Sequence, residues 1–192
     1  MIHIFIAITY DKQITDEDLQ HFMPIEKGID GLLFRTSMNY DELKDKIIQL
    51  IQHGFEKDKI IIHSDITLLE ELNLSRIHFK NNDTTAFSYK VSHPNIIVGM
   101  STHDVATVNL CRKKGLDYVF FGHLFPTMSH PDTPPRTTKE IQDVLHIPIT
   151  TYAIGGINNN IIKQIPKGFS GICVISYFMI ATLEEIQHLR KE

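Results

Sequence analysis

Residues Asp117–His130 read DYVFFGHLFPTMSH, and the fold turns on what this stretch is. Asp117–Phe121 is a short apolar run suited to a buried strand, and Gly122 then lets the chain turn tightly before His123. The apolar pair Leu124-Phe125 leads into Pro126-Thr127-Met128-Ser129-His130, whose Thr and Ser hydroxyls can donate to an anion. An imidazole with an ordinary pKa of about 6.5 therefore follows a strand end, where it can exchange a proton near neutral pH.

The same grammar recurs on both sides of this stretch. N-terminal to it, Ile2–Thr9, Gly28–Arg35 (GIDGLLFR), Lys59–His63 (KIIIH), Ser75–Phe79 (SRIHF) and Asn95–Gly99 (NIIVG) are apolar runs that end in polar residues or lead into them. C-terminal to it, Ile147–Ile154 runs into Gly155-Gly156-Ile157-Asn158, and Gly171–Ser176 (GICVIS) completes a set of eight strands. Helical spacing fills the gaps. Thr15 caps a helix that runs to about Met23 before Pro24, and Asn39–His53 carries Leu43, Ile47, Leu50 and Ile51 on one face before Gly54. Ile66–Leu72 and Asn159–Ile165 predict short helices, and Thr137–Leu145 a further one. Ser101 or Thr102 caps a helix to Lys114 with Val105, Val108 and Cys111 inward, and Thr182–Glu192 closes the chain with Leu183, Ile186 and Leu189 on one face. Thr84–Val91 reads equally as a weak helix or an irregular crossing.

Eight near-continuously apolar strands alternating with helices point to a parallel sheet covered on both faces. The expected architecture is an α/β fold of one domain, residues 1–192, closed as a (β/α)8 TIM barrel. Spread over eight units, 192 residues give short helices compared with the roughly 250 residues typical of this fold. An open doubly wound sheet is the alternative, but no GxGxxG opens the first helix.

Composition narrows the function. At 42% hydrophobic residues the chain can bury a proper core, and a net charge of −4 offers no cationic face to nucleic acid or an anionic membrane. The denser basic groups, Lys44/Lys46, Lys57/Lys59 and Arg112-Lys113-Lys114, fall on helices or their ends and read as solvated faces. Cys111 and Cys173 lie in unlike contexts without zinc spacing, which suits reduced structural thiols. The start, MIHIFIAITYDK, lacks a basic region and a cleavage site, and no apolar run reaches about 18 residues, so a cytoplasmic protein is expected.

In such a barrel the site forms where the strands end, and the loops after the seventh and eighth strands often hold a phosphate. Those loops are Gly155-Gly156 and Ile175-Ser176, with helix starts expected behind them to add a favourable dipole. The other ends offer Thr9, Arg35, His63, Asp83, Ser101 and His123. Plainer readings compete: the glycines as a tight turn, Arg35 in an internal salt bridge, and His123 as a rim histidine bonded to a backbone carbonyl. His63, His78, Asp83 and His123 lack any spacing that supports a metal site, so core or rim roles are expected for the histidines.

Four segments in series, VGMSTH, YVFFGHLFPT, YAIGGIN and GICVIS, resemble the thiamin phosphate synthase superfamily, in particular its thiazole tautomerase branch, named for the TenI protein. Weaker similarity begins at IAITYD. The synthase pattern Gln-x-Arg-x-Lys is met here by Leu33, Arg35 and Ser37, its Asn-Asp-Arg by His63-Ser64-Asp65, and its anion-loop Lys by His130; Asp83 keeps the second Mg²⁺ carboxylate. His123 stands where synthases usually have Pro, as in the tautomerase branch. The resemblance therefore implies a metal-free proton transfer that aromatises a carboxythiazole ethyl phosphate, with His123 catalytic. It implies phosphate on the N–H groups of Gly156 and Ser176, Arg35 on the carboxylate, and Ser101, Thr127 and Ser129 lining the pocket. A synthase-like transferase, the one reading that needs Mg²⁺, and a non-catalytic ligand-binding or regulatory protein are the alternatives. Phe87, Phe178 and Met179, expected to be exposed, leave room for a homodimer.

Overall fold

The computed structural model describes residues 4–129 and 131–191, and its eight parallel strands close into a barrel in chain order. The strands are β1 (Ile4–Ile8), β2 (Gly31–Phe34), β3 (Ile60–His63), β4 (Arg76–Phe79), β5 (Ile97–Thr102), β6 (Tyr118–Gly122), β7 (Thr150–Ile154) and β8 (Gly171–Val174). Barrel closure rests on β1 pairing with β8, where Ile4 meets Gly171 and Ala7 meets Val174. Ile2, the expected start of β1, and Glu192, the expected end of the last helix, lie outside the described residues, as does His130.

Side chains alternate along each strand, which divides the apolar residues into two cores. Ile6, Ile8, Leu33, Ile61, Tyr118, Phe120, Tyr152 and Cys173 fill the barrel interior, while Phe5, Leu32, Phe34, Ile62, Phe79, Val119 and Phe121 pack outward against the helices. Gly99 makes room inside: a Cβ built there would overlap the Tyr118 ring.

The helices are α1 (Asp16–Ile25), α2 (Tyr40–Gln52), α3 (Ile66–Glu71), α4 (Thr85–Ser92), α5 (Val105–Lys113), α6 (Thr138–Leu145) and α7 (Leu183–Lys191). Thr15 and Thr137 form reciprocal capping boxes with Asp18 and Glu140, satisfying N-terminal amides that the helices themselves leave unpaired. The ambiguous 84–91 stretch is thus a helix. α1 continues one residue past Pro24, whose fixed φ fits the last turn, before a 3-10 turn takes over.

Three expectations change. β5 runs on to Thr102 because Ser101 and Thr102 pair with Phe120 and Phe121 of β6, so Asp104, accepting from Thr107 N at 2.7 Å, caps α5 instead. The 159–165 stretch yields only a 3-10 turn, Ile162–Gln164, since Asn158 and the residues after it spend their polar groups on local turns. Phe178 is buried (0% exposed), its ring stacked at 5.4 Å on Phe22 of α1, and Phe87 and Met179 are half-buried against the core. The chain after β8 folds back on itself, with Met179 N donating to Ile175 O, and this carries Phe178 under α1.

At the closed end of the barrel Asp30 ties three elements together. Its Oδ2 accepts from Phe5 N at 2.8 Å and faces Arg190 Nη1 at 2.9 Å, while its backbone O accepts from Arg76 Nη1 at 2.7 Å. Cys111 and Cys173 are buried free thiols, and burial pushes the Cys111 thiol up to about 11. No helix among the described residues is long and apolar enough to cross a membrane.

Candidate active site

A cavity of about 380 Å³ opens at the C-terminal ends of β7 and β8. Thr127, Ser129, Gly155, Gly156, Ile175 and Ser176, all expected from the sequence, line it together with Tyr10, Asn158 and Tyr177. Gly155 and Gly156 hold positive φ values of 101° and 71°, open to glycine at little cost. Their loop lies close under the 125–126 segment: Phe125 N donates to Gly155 O at 3.2 Å, and a Cβ on Gly156 would stand 2.5 Å from Pro126 O. The N–H groups of Gly156 and Ser176 donate to no carbonyl among the described residues. Two such donors in one cavity suit the oxygens of a phosphate. No α-helix starts directly behind either loop, so the expected dipole is missing and backbone N–H groups carry the site. Met128 (90% exposed) and Ile180 (77% exposed) add apolar surface to the lining, and neither carried a signal in the sequence.

Tyr10 follows β1 and reaches across with its hydroxyl toward Ser176 O at 3.5 Å; a strand-end rule applied one residue further on would have found it. Thr9, at the expected strand end, is instead buried, with Oγ1 donating to Arg35 O at 2.7 Å. A second hollow of about 350 Å³ is drawn from α1, α2 and His53 alone, away from any strand end.

The remaining candidates, Arg35, His63, Asp83, Ser101 and His123, stand outside the cavity lining. His63 ends β3 beside His78 of β4. Burial holds its pKa below the usual histidine value, helped by the charges of Arg35 and Lys80, so the imidazole is neutral at pH 7. Ser101 faces the barrel interior, its Oγ 2.9 Å from His78 Nε2. The sequence allowed His78 a core or a rim role; it lies in the core, and nothing in the sequence signalled its bond to Ser101. Lys80 was also missed, for want of any motif around it.

His123 is 5% exposed, and its Nε2 lies 3.0 Å from Thr133 O. The loop between β6 and α6 folds back over it, with Arg136 N donating to His123 O at 3.0 Å and Arg136 Nη1 to His103 O at 2.8 Å. Cα and Cβ of His123 thus lie against Gly155, its ring turns to Thr133 O, and the residue is not part of the cavity lining.

The synthase resemblance implies Mg²⁺ held by carboxylates after β3 and β4. At those places Ser64 offers a hydroxyl, which accepts from Lys80 N at 3.2 Å. Asp65 spends Oδ1 on Leu68 N at 2.9 Å to cap α3, and Asp83 spends Oδ1 on Thr85 N at 3.1 Å. Among the described residues no three His, Cys, Asp or Glu side chains gather to hold an ion. With a serine at the first place, Asp83 is left as the carboxylate for an Mg²⁺ that substrate phosphates would help to hold.

Eight parallel strands with a glycine-lined cavity at the β7 and β8 ends define a (β/α)8 barrel whose cavity lies where this architecture often holds a phosphate. The family model described as thiamine monophosphate synthase matches residues 6–178, and the chain belongs to that family. It is 28% identical over 180 residues to a putative thiamine-phosphate synthase 2 of Aquifex aeolicus, covering 90% of this chain and 96% of that protein. It is 30% identical over 179 residues to the thiamine-phosphate synthase of Halalkalibacterium halodurans, covering 88% and 84%. A thiamine phosphate pyrophosphorylase structure from Pyrococcus furiosus shares the fold with a TM-score of 0.79 at 23% identity, covering 98% of this chain and 94% of that one.

Proposed function

We propose that this chain is a transferase of thiamin biosynthesis that joins a thiazole ethyl phosphate to an aminopyrimidine pyrophosphate, releasing pyrophosphate. The cavity at β7 and β8 carries this reading, because its Gly156 and Ser176 amides, which donate to no carbonyl among the described residues, fit the phosphate that both the synthase and tautomerase substrates share. The names borne by the full-length relatives favour transfer over tautomerisation. In this reading Thr127 and Ser129 flank the phosphate, and Arg35 and Lys80, whose charges both reach His63, face the pyrophosphate. Mg²⁺ would be held between the pyrophosphate and Asp83, where it would offset the phosphate charge. A homodimer and a cytoplasmic location remain part of the proposal.

A second reading keeps the tautomerase. It is favoured by His123 after Gly122 and by Ser64 in place of a metal carboxylate, and it requires the loop carrying Thr133 to open so that His123 reaches the ligand. Incubating the chain with both substrates in the presence of Mg²⁺ and following thiamin phosphate decides between them. Product formation supports transfer. Binding of the thiazole phosphate without product, together with conversion of its carboxylated tautomer, supports the second reading, and failure to bind the thiazole phosphate overturns both.

A further inference from the structure

We propose that Tyr118, acting through His78, fixes the direction of the His78–Ser101 hydrogen bond, so that the Ser101 O–H is left free to donate to the ligand. The three side chains form one line inside the barrel: Tyr118 Oη lies 3.3 Å from His78 Nδ1, and His78 Nε2 lies 2.9 Å from Ser101 Oγ. His78 is 0% exposed and is held flat, its ring 3.9 Å from that of Phe120 at 24° and stacked on Tyr118 at 5.5 Å.

The tautomer follows from accounting for protons. His78 is neutral, because burial and the neighbouring His63 hold its pKa well below the histidine range. A neutral imidazole carries one N–H and one bare nitrogen, so one ring nitrogen donates and the other accepts. If Nδ1 carried the proton, it would donate to Tyr118, whose own hydroxyl proton would then have no acceptor among the described residues in a fully buried place. Burial keeps that phenol protonated, which makes this arrangement costly. If Nε2 carries the proton, Tyr118 donates to Nδ1, Nε2–H donates to Ser101 Oγ, and all three groups are satisfied. The Ser101 proton then points away from His78. Ser101 is partly exposed at the barrel mouth, so the acceptor that remains for it is on the ligand or in solvent.

His78 and Tyr118 are therefore positioning residues. They favour a substrate with an acceptor atom at this place, a ring nitrogen or a carboxylate oxygen, toward which the freed O–H can donate. The selection by chemistry rests on the proposed function, whereas the tautomer does not.

The test has two arms. Long-range ¹⁵N–¹H correlation on histidine-labelled full-length chain without ligand is expected to show His78 as a single Nε2–H tautomer from pH 6 to 8, and Tyr118→Phe to give a mixture. A wild-type Nδ1–H tautomer overturns the proposal. In the second arm, calorimetric titration with thiazole ethyl phosphate and the aminopyrimidine pyrophosphate is expected to show about tenfold weaker binding of one of them for Ser101→Ala, and a smaller loss for Tyr118→Phe. The double variant is expected to bind like Ser101→Ala alone. Fully additive losses overturn the coupling. If neither compound binds the wild type, the functional reading fails and the tautomer arm alone decides the proposal.

Discussion

Gly155 packs against His123 so closely that a side-chain carbon at Gly155 would overlap both Cβ and Cα of the histidine. The glycine of the anion loop and the histidine after β6 therefore occupy one shared space. With φ at 101°, an alanine is strained as well as crowded. Gly155→Ala is expected to cost about 2–4 kcal/mol of folding free energy, read as a lowered urea midpoint, with weakened binding of thiazole phosphate. A variant as stable as the wild type would show that the 123–125 segment yields easily.

His123 separates the two functional readings. If the chain is a transferase, His123→Ala leaves thiamin phosphate formation within about tenfold, since the imidazole is engaged with Thr133 O. If it is a tautomerase, the same variant loses about 10²–10⁴-fold in conversion of the carboxythiazole, the usual worth of a placed acid or base. Steady-state rates on both substrates with His123→Ala and His123→Gln distinguish them.

Acid should destabilise the fold through His78 and His63. Both have folded pKa values depressed below the ordinary 6.5, His78 chiefly by burial and His63 by burial followed by Arg35. Above 6.5 each is neutral in both folded and unfolded chains and has no effect. As pH falls below 6.5 the unfolded chain takes up protons that the fold refuses, so stability declines until the folded pKa is passed. Urea midpoints at pH 7.5, 6.5 and 5.5 should fall in that order, and His78→Gln should flatten the slope. An unchanged slope would mean that His78 titrates normally.

Phe178 tests how the chain after β8 is anchored. Truncating a fully buried aromatic costs about 3–5 kcal/mol, and Phe178 also stacks on Phe22. Phe178→Ala is therefore expected to destabilise strongly. Had the ring been exposed, as its sequence context suggests, the change would fall within about 0.5 kcal/mol.

The barrel was legible because each strand is a run of large apolar residues that nothing but a two-sided burial explains. The cavity was legible for a related reason: Gly155-Gly156 and Ser176 follow strands seven and eight, where this architecture brings loops together. What escaped depends on contacts between distant parts of the chain. The Ser-Thr pair at 101–102 looks like a helix cap until β6 offers it strand partners. Nothing local announces that the loop through Thr133 folds back over His123, or that Tyr118, His78 and Ser101 meet inside the barrel.

The two sides of the mouth have separate origins in the chain. Apart from Tyr10, every residue lining the phosphate cavity comes from 126–180, whereas Arg35, His63, His78, Lys80 and Ser101 all come from its first 101 residues. Under the proposed function, the handle that would grip the ligand's phosphate and the groups that would face its far end are thus encoded apart. In the proposed function, point changes near strands two to five would alter what is done to the far end of the ligand while leaving the phosphate grip as it is.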